Sequence, residues 1–218
     1  MLDGSELSSA LQTVLCDGEP SNTKLDRNTM IGLNRHIVQV VEHHPNWAAL
    51  AADACQEVQR VCGNLLTDLQ HVGSTSVPDL PAKPILDIAA AVVTLDAIPA
   101  LVQRLTGIGY LYRGDGGEEG GHLFVRESSP EVRTLHLHVV EHHGTQWRNY
   151  LCFRDLLRQH PEIREQYAGL KQELGNRFQD DRKSYTTSKH DFIRGILETR
   201  EAQRRASDGD AAPFHRRA

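Results

Sequence analysis

Residues 84–93 read Pro-Ile-Leu-Asp-Ile-Ala-Ala-Ala-Val-Val, and nine of these ten are apolar. A strand with one wet face would alternate, so an unbroken run of this kind predicts a central strand covered on both faces. Asp87 stands inside it. An ionised carboxylate in such surroundings is costly unless it is paired or bound to a metal. On strand alternation Asp87 shares a face with Ile85, Ala89 and Ala91. A structural ion pair, to Lys83 or an arginine, would account for it. A second polar insertion favours a site instead. In Leu135-His136-Leu137-His138-Val139 the histidines fall on one face and the aliphatics on the other. Two such rows side by side make a polar cleft on an apolar sheet. The expectation is a site with Asp87 and His138 as catalytic groups, and Asp87, His136 and His138 as ligands should a metal be bound.

The segment His71-Val72-Gly73-Ser74-Thr75-Ser76-Val77-Pro78 follows a short strand-like run. Gly73 lets the backbone approach a ligand closely, and Ser74, Thr75 and Ser76 offer hydroxyls and N–H groups to phosphate oxygens. Lys83 would add a cation. An ordinary turn is the alternative. Arg182 and Lys189, near the last helix, could close over the same phosphates or be plain surface charge.

The hydrophobic pattern around these segments is that of an α+β protein. Strands are predicted over 36–42, 69–72, 84–93, 108–112, 122–126 and 134–140. A first helix opens near Asn46 and Trp47, with Leu50, Ala54, Val58, Val61, Cys62 and Leu65 at helical spacing. Asp96 is the expected N-cap of a second helix, with Pro99 in its first turn. After Thr145 the chain reads as three helices. The first covers 146–159, the second begins at Pro161, and Ser188 with Asp191 resembles a capping box for the third. The glycine-rich segment 114–121 is expected to be a mobile loop, and a short helix near 6–15 is expected ahead of the core. The expected division is an N-terminal extension over 1–35, one domain over 36–200 and a flexible tail over 201–218.

Lys plus Arg number 24 and Asp plus Glu 29, a net charge of −5. This disfavours nucleic acid as the main partner and favours a small molecule or nucleotide. The four cysteines, Cys16, Cys55, Cys62 and Cys152, form no CxxC and no zinc-ligand spacing. No apolar run is long enough to span a membrane, and the first residues lack a charged-then-apolar leader pattern. The expectation is a cytoplasmic protein with no membrane partner. Nothing in the sequence speaks to oligomeric state.

His71-Val72-Gly73-Ser74-Thr75-Ser76-Val77-Pro78-Asp79-Leu80, followed by Ala82-Lys83-Pro84-Ile85-Leu86-Asp87-Ile88, resembles the signature of the GrpB family. The resemblance continues through His136-Leu137-His138-Val139, Leu151 to Arg158, Tyr167-Ala168-Gly169-Leu170-Lys171, and Arg182 to Tyr185 with Lys189, Phe192 and Ile193. Upstream it takes in Val41 to Trp47. It implies a nucleotidyltransferase-like mixed β-sheet with flanking helices and a helical C-terminal part, a unit also found fused to dephospho-CoA kinase. It further implies a nucleoside triphosphate and a divalent metal as cofactors, with Gly73 and Ser74 in the phosphate loop and Asp87 as the first metal carboxylate. Here the chain departs from the superfamily pattern. The second carboxylate position is Ala89, and the neighbouring strand offers His136 and His138 rather than an acid. Mg²⁺ prefers oxygen ligands, whereas Mn²⁺ and other transition metals tolerate imidazole. Three readings stay open. One is an enzyme transferring a nucleotidyl or related activated group to a small molecule. Another is a nucleotide- or phosphometabolite-binding protein that has lost the chemistry. The third is a transition-metal enzyme at Asp87, His136 and His138.

Overall fold

In the computed structural model, residues 31–117 and 121–209 are described. The expected helix over 6–15 and most of the expected extension lie outside them. A six-stranded mixed sheet forms the centre. Its strands are β1 (Leu33–Asn34), β2 (Asp68–Val72), β3 (Leu86–Val92), β4 (Tyr110–Asp115), β5 (His122–Ser129) and β6 (Val132–Glu141). The order is β2-β3-β6-β5-β4, with β1 pairing to the start of β6. Only β3 and β6 run parallel; the other named pairs are antiparallel. Five helices flank the sheet: α1 (Trp47–Cys62), α2 (Ile98–Thr106), α3 (Thr145–Gln159), α4 (Pro161–Arg177) and α5 (Arg182–Gly209).

The apolar run forms the central strand β3, as its composition requires. Leu86, Ile88, Ala90 and Val92 face one way and join Leu135, Leu137 and Val139 of β6. Helix α1 closes this face with Trp47, Ala51, Ala54, Val58 and Cys62, one stripe at helical spacing. Ala89 and Ala91 face the other way with Val72 and Val140, under Trp147, Tyr150 and Leu151 of α3. Alanines on β3 leave room for the large α3 side chains to lie close to the sheet. The C-terminal helices share the core. Phe153, Leu157 and Tyr167 pack on Val77 and Leu80 of the loop after β2, with Phe192, Ile193, Ile196 and Leu197 of α5 around them.

Several local expectations are corrected. Residues 36–42 are not a strand: Val41 makes a single bridge to Ala82, and the Val38 N–H goes to the Gln179 carbonyl. This segment is a strap between the sheet and the α4–α5 turn, so its alternation has no strand partner to register with. Helix α5 begins at Arg182 rather than beside Ser188. Asp181 caps it, accepting from the Ser184 N–H at 3.0 Å and the Ser184 hydroxyl at 2.6 Å. Asp181-x-x-Ser184 and Ser188-x-x-Asp191 both look like helix starts, and the buried Tyr185 requires helix from the earlier one. Asp96 lies in a 3-10 turn, Leu95–Ala97, and α2 follows from Ile98 with Pro99 in its first turn. Helix α5 also continues to Gly209, past residue 200. Of the glycine-rich segment, Gly114 and Asp115 belong to β4, and 118–120 lie outside the described residues.

Gly73 is the turn that closes β2 against β3. Its backbone has φ +67° and ψ −173°, a region essentially reserved for glycine. A Cβ there would stand 2.6 Å from Asp87 Oδ2. Gly73→Ala therefore meets both backbone strain and a collision, and it should destabilise the fold by about 2 kcal/mol or more. Urea denaturation of the purified variant measures this; a stability equal to that of the parent would contradict the steric account.

Candidate functional site

Asp87 and His136 are direct register partners on the parallel pair β3 and β6, and Ala89 is the partner of His138. The pleat therefore puts one carboxylate and two imidazoles on the α3 face. His136 Nδ1 lies 3.1 Å and His138 Nε2 3.5 Å from the same Asp87 oxygen, Oδ1. One ligand atom from each of the three falls within 4.8 Å of the others, a spacing that could hold a metal ion. The Asp87 side chain is 32% exposed, so a ligand can reach it.

The proton positions follow from the neighbours. Arg182 Nη2 donates to His136 Nε2 at 3.4 Å. Nε2 is then the acceptor nitrogen, and Nδ1 carries the proton that it donates to Asp87. Burial lowers the His136 pKa to about 4 against the opposing pull of Asp87. Burial also works against the charge of Asp87, but hydrogen bonds from His136 and His138 override it and hold its carboxyl well below the ordinary range. The centre is an ionised carboxylate gripped by imidazoles. Tyr150 of α3 lies over His138, ring centres 5.3 Å apart, and its phenol is pushed up in pKa by burial and by Asp87.

Cations border this centre. Lys83, three residues before β3, and Lys189 of α5 stand on the Tyr185 ring at 5.1 and 5.4 Å. Burial drives the Lys83 pKa well down, and repulsion from Lys189 and Arg182 adds to it. Arg182 also donates to the Arg35 carbonyl at 3.3 Å, which ties α5 to the strap before α1.

The turn after β2 differs from the simple phosphate-loop expectation. Its hydroxyls are already engaged within the protein. Thr75 is bonded to His71 Nε2 at 3.0 Å, the Ser76 hydroxyl donates to the Gly73 carbonyl at 2.6 Å, and Ser74 shares a hydrogen bond with the Tyr167 phenol. Thr75 and Ser76 are buried. His71 props the turn through Thr75, in register with Ile88 rather than Asp87. Gly73 is the loop residue in immediate contact with Asp87. Structure thus joins Asp87, His136, His138 and Gly73 directly, adds Arg182 through His136, sets Lys83 and Lys189 together on the Tyr185 ring at the border, and gives His71, Ser74, Thr75 and Ser76 bonds that shape the turn.

Several contributors were invisible as such in the sequence. Arg154, which reads as one half of a helix pair with Asp155, also donates to Gln70 and to the His71 carbonyl. Arg158 holds the Ser76 carbonyl with Nε and Nη2 at 3.1 and 2.7 Å. Lys171 is 1% exposed, donates to the Pro81 carbonyl and lies 4.7 Å from the Tyr167 ring centre. The family resemblance spans these residues without giving them a role, and their placement at helical intervals from core residues is one that surface charges share.

A family model described as GrpB protein matches residues 37–199. The chain belongs to the GrpB family. It is 32% identical over 171 residues to the Glutamate-rich protein GrpB of Alkalihalophilus pseudofirmus, covering 77% of this chain and 98% of that one. A crystal structure of GrpB from Enterococcus faecalis superposes with a TM-score of 0.66 at 29% identity, over 74% of this chain and 98% of that one. The chain is also 26% identical over 182 residues to a dephospho-CoA kinase of Mycobacterium tuberculosis, a match covering 73% of this chain and 45% of the kinase. The GrpB unit thus corresponds to part of a larger protein there. Among the described residues no helix is long and apolar enough to cross a membrane.

The half-buried His71 makes the turn sensitive to acid. Its pKa falls from 6.5 to about 4, first through burial, with Arg158, Arg154 and His43 pushing the same way and Asp87 opposing. Between those values the unfolded chain binds the proton and the folded chain does not, so stability is lost as pH falls through that window. At pH 5 this one group should cost about 2 kcal/mol relative to neutral pH. Denaturant midpoints at pH 7 and pH 5 should therefore separate less in His71→Gln than in the parent; equal separations would remove His71 from the account.

Proposed function

We propose that this GrpB protein binds a nucleotide or other phosphorylated small molecule and transfers a nucleotidyl or related activated group to a second small molecule, with Asp87 at the centre of the site. The observation that carries this reading is the convergence of Asp87, His136 and His138 in contact with the Gly73 turn and bordered by Lys83 and Arg182. A two-Mg²⁺ site needs several carboxylates, and the position beside His138 is the fully buried methyl group of Ala89. One carboxylate with two imidazoles instead suits a single Mn²⁺, Zn²⁺ or Fe²⁺ ion. Asp87, His136 and His138 would hold it. Such an ion would supply charge to stabilise developing negative oxygen.

The protein's own groups have defined tasks in this reading. Lys189 draws phosphate oxygens to the site, and Lys83, whose charge burial disfavours, offers them N–H donors. Arg182 fixes the ring of His136 from outside. Asp87 and His138 are placed to hold or receive a proton from a bound hydroxyl. Ligation through His136 Nδ1 would move its proton to Nε2, and Arg182 would then have to give up its bond to that nitrogen. Ala89 supports a second reading, a phosphometabolite-binding protein without turnover, because positioning and charge carry most of the rate in phosphoryl transfers.

Equilibrium dialysis and elemental analysis test the centre. The parent should take up one Mn²⁺ or Zn²⁺ per chain. Asp87→Asn and His138→Ala should weaken that uptake by roughly tenfold or more, since even outer-shell changes cost about that much. Undiminished uptake in both variants would remove the metal reading. Radiolabelled nucleotide transfer tests the chemistry. Activity should need a particular small acceptor and Mn²⁺ rather than Mg²⁺. Turnover with Mg²⁺ alone near the roughly 10 s⁻¹ typical of enzymes would show that Ala89 is no handicap.

A further inference from the structure

The end of β6 holds charge that the site as described does not use. A bulge sets an extra residue of β6 against β5: Arg126 pairs with Leu135 and Glu127 with Arg133, leaving Thr134 between them. An extra residue re-aims the side chains that precede it. Arg133 pairs with Leu33 of β1 and Glu127 of β5, while Arg182 reaches the Arg35 carbonyl just after β1 and His136 on β6, so the starts of β6 and α5 meet here and the charges of Arg182, Arg35 and Arg113 act on Arg133.

The carboxylates nearby are already committed. Glu127 pairs with Arg113 at 3.3 Å, and Glu131 lies 3.9 Å from Arg35 and 3.3 Å from His36. Among the described residues neither Arg133 nor Arg182 has a salt bridge, and the buried Arg133 Nε has no hydrogen-bond partner. A buried guanidinium N–H with nothing to donate to is costly, and a neighbouring guanidinium makes it more so. An oxyanion between the two arginines would relieve both costs. Guanidinium forks match phosphate and carboxylate geometry, and the donated bonds are charge-assisted.

The position is specific relative to the rest of the site. Gly73 touches Asp87 from β2, on one side of β3. Arg182 touches His136 from the opposite side, and Arg133 lies three residues before His136 on β6, roughly 10 Å along the strand. The carboxylate centre lies between the turn and the arginines.

We propose that Arg133 and Arg182 form a second oxyanion subsite, which receives a phosphate or carboxylate group of the acceptor molecule on the side of Asp87 away from the Gly73 turn. The name acceptor rests on the transfer reading above; the subsite itself rests on the two arginines.

The test observes the arginine Nε–H resonances of the full chain in ¹⁵N-correlated spectra, titrated separately with orthophosphate and with succinate. The Arg133 and Arg182 signals, assigned from Arg133→Lys and Arg182→Lys, should move saturably. A tighter response to orthophosphate assigns the subsite to a phosphorylated acceptor, and a tighter response to succinate to a carboxylated one. Arg133→Gln should weaken the better anion about tenfold, the effect of one charge-assisted contact. The same variant should bind Mn²⁺ like the parent and give an unchanged circular dichroism spectrum. His138→Ala should keep the anion response even where it loses metal, which separates this subsite from the fate of the metal centre. Arginine signals that stay still with both anions, or an Arg133→Gln variant that binds the better anion as the parent does, would overturn the subsite.

Discussion

A single carboxylate in the middle of a buried strand sets the terms for its surroundings. Asp87 accepts from His136 and lies beside His138 through one oxygen, while its other oxygen faces the Gly73 backbone. Each contact imposes a requirement elsewhere. The histidines must alternate on a parallel neighbour in register with β3. The residue after β2 must be glycine, because a Cβ would collide with the carboxylate. Burial opposes the charge of the carboxyl, and the hydrogen bonds from His136 and His138 keep it ionised.

The turn beside Asp87 is held from three directions. His71 reaches Thr75, Arg154 and Arg158 of α3 reach the His71 and Ser76 carbonyls, and Tyr167 of α4 shares a hydrogen bond with Ser74. Lys171 adds a bond from α4 to the Pro81 carbonyl. These contacts explain why the C-terminal helices share a core with the sheet rather than forming a separate unit. They also make the turn rigid. A loop whose hydroxyls and carbonyls are already bonded meets a ligand without first losing much conformational freedom.

Ala89 and the bulge in β6 act on the charge of the site in opposite ways. Ala89 leaves no acid at the position nearest His138, and Arg133, beside the bulge, is within the electrostatic reach of Arg182. The result is a centre with one carboxylate and a surplus of cations at its border, even though the whole chain carries a net charge of −5. Overall charge and local field differ here because many of the acidic residues lie elsewhere on the chain.

The features legible from residues alone were those with a short period. The apolar run gave β3, the alternation in Leu135-His136-Leu137-His138 gave the shared face of the histidines, and the stripe from Trp47 to Cys62 gave α1. Those patterns arise from the pleat and the helical turn, which are local geometry. The family signature added the Gly73 turn and its relation to Asp87. Where a local signal was incomplete it misplaced a boundary. The capping pattern at Ser188 looked like the start of the last helix, and the packing of Tyr185 in the core requires helix from Arg182, capped by Asp181. The alternation over 36–42 looked like a strand, yet its N–H groups found the Ala82 and Gln179 carbonyls instead. The roles of Arg154, Arg158 and Lys171 were decided only in three dimensions. A charged side chain on a helix or strand has the same local pattern whether it meets water or a buried carbonyl, and only the packing of distant segments determines which of the two it meets.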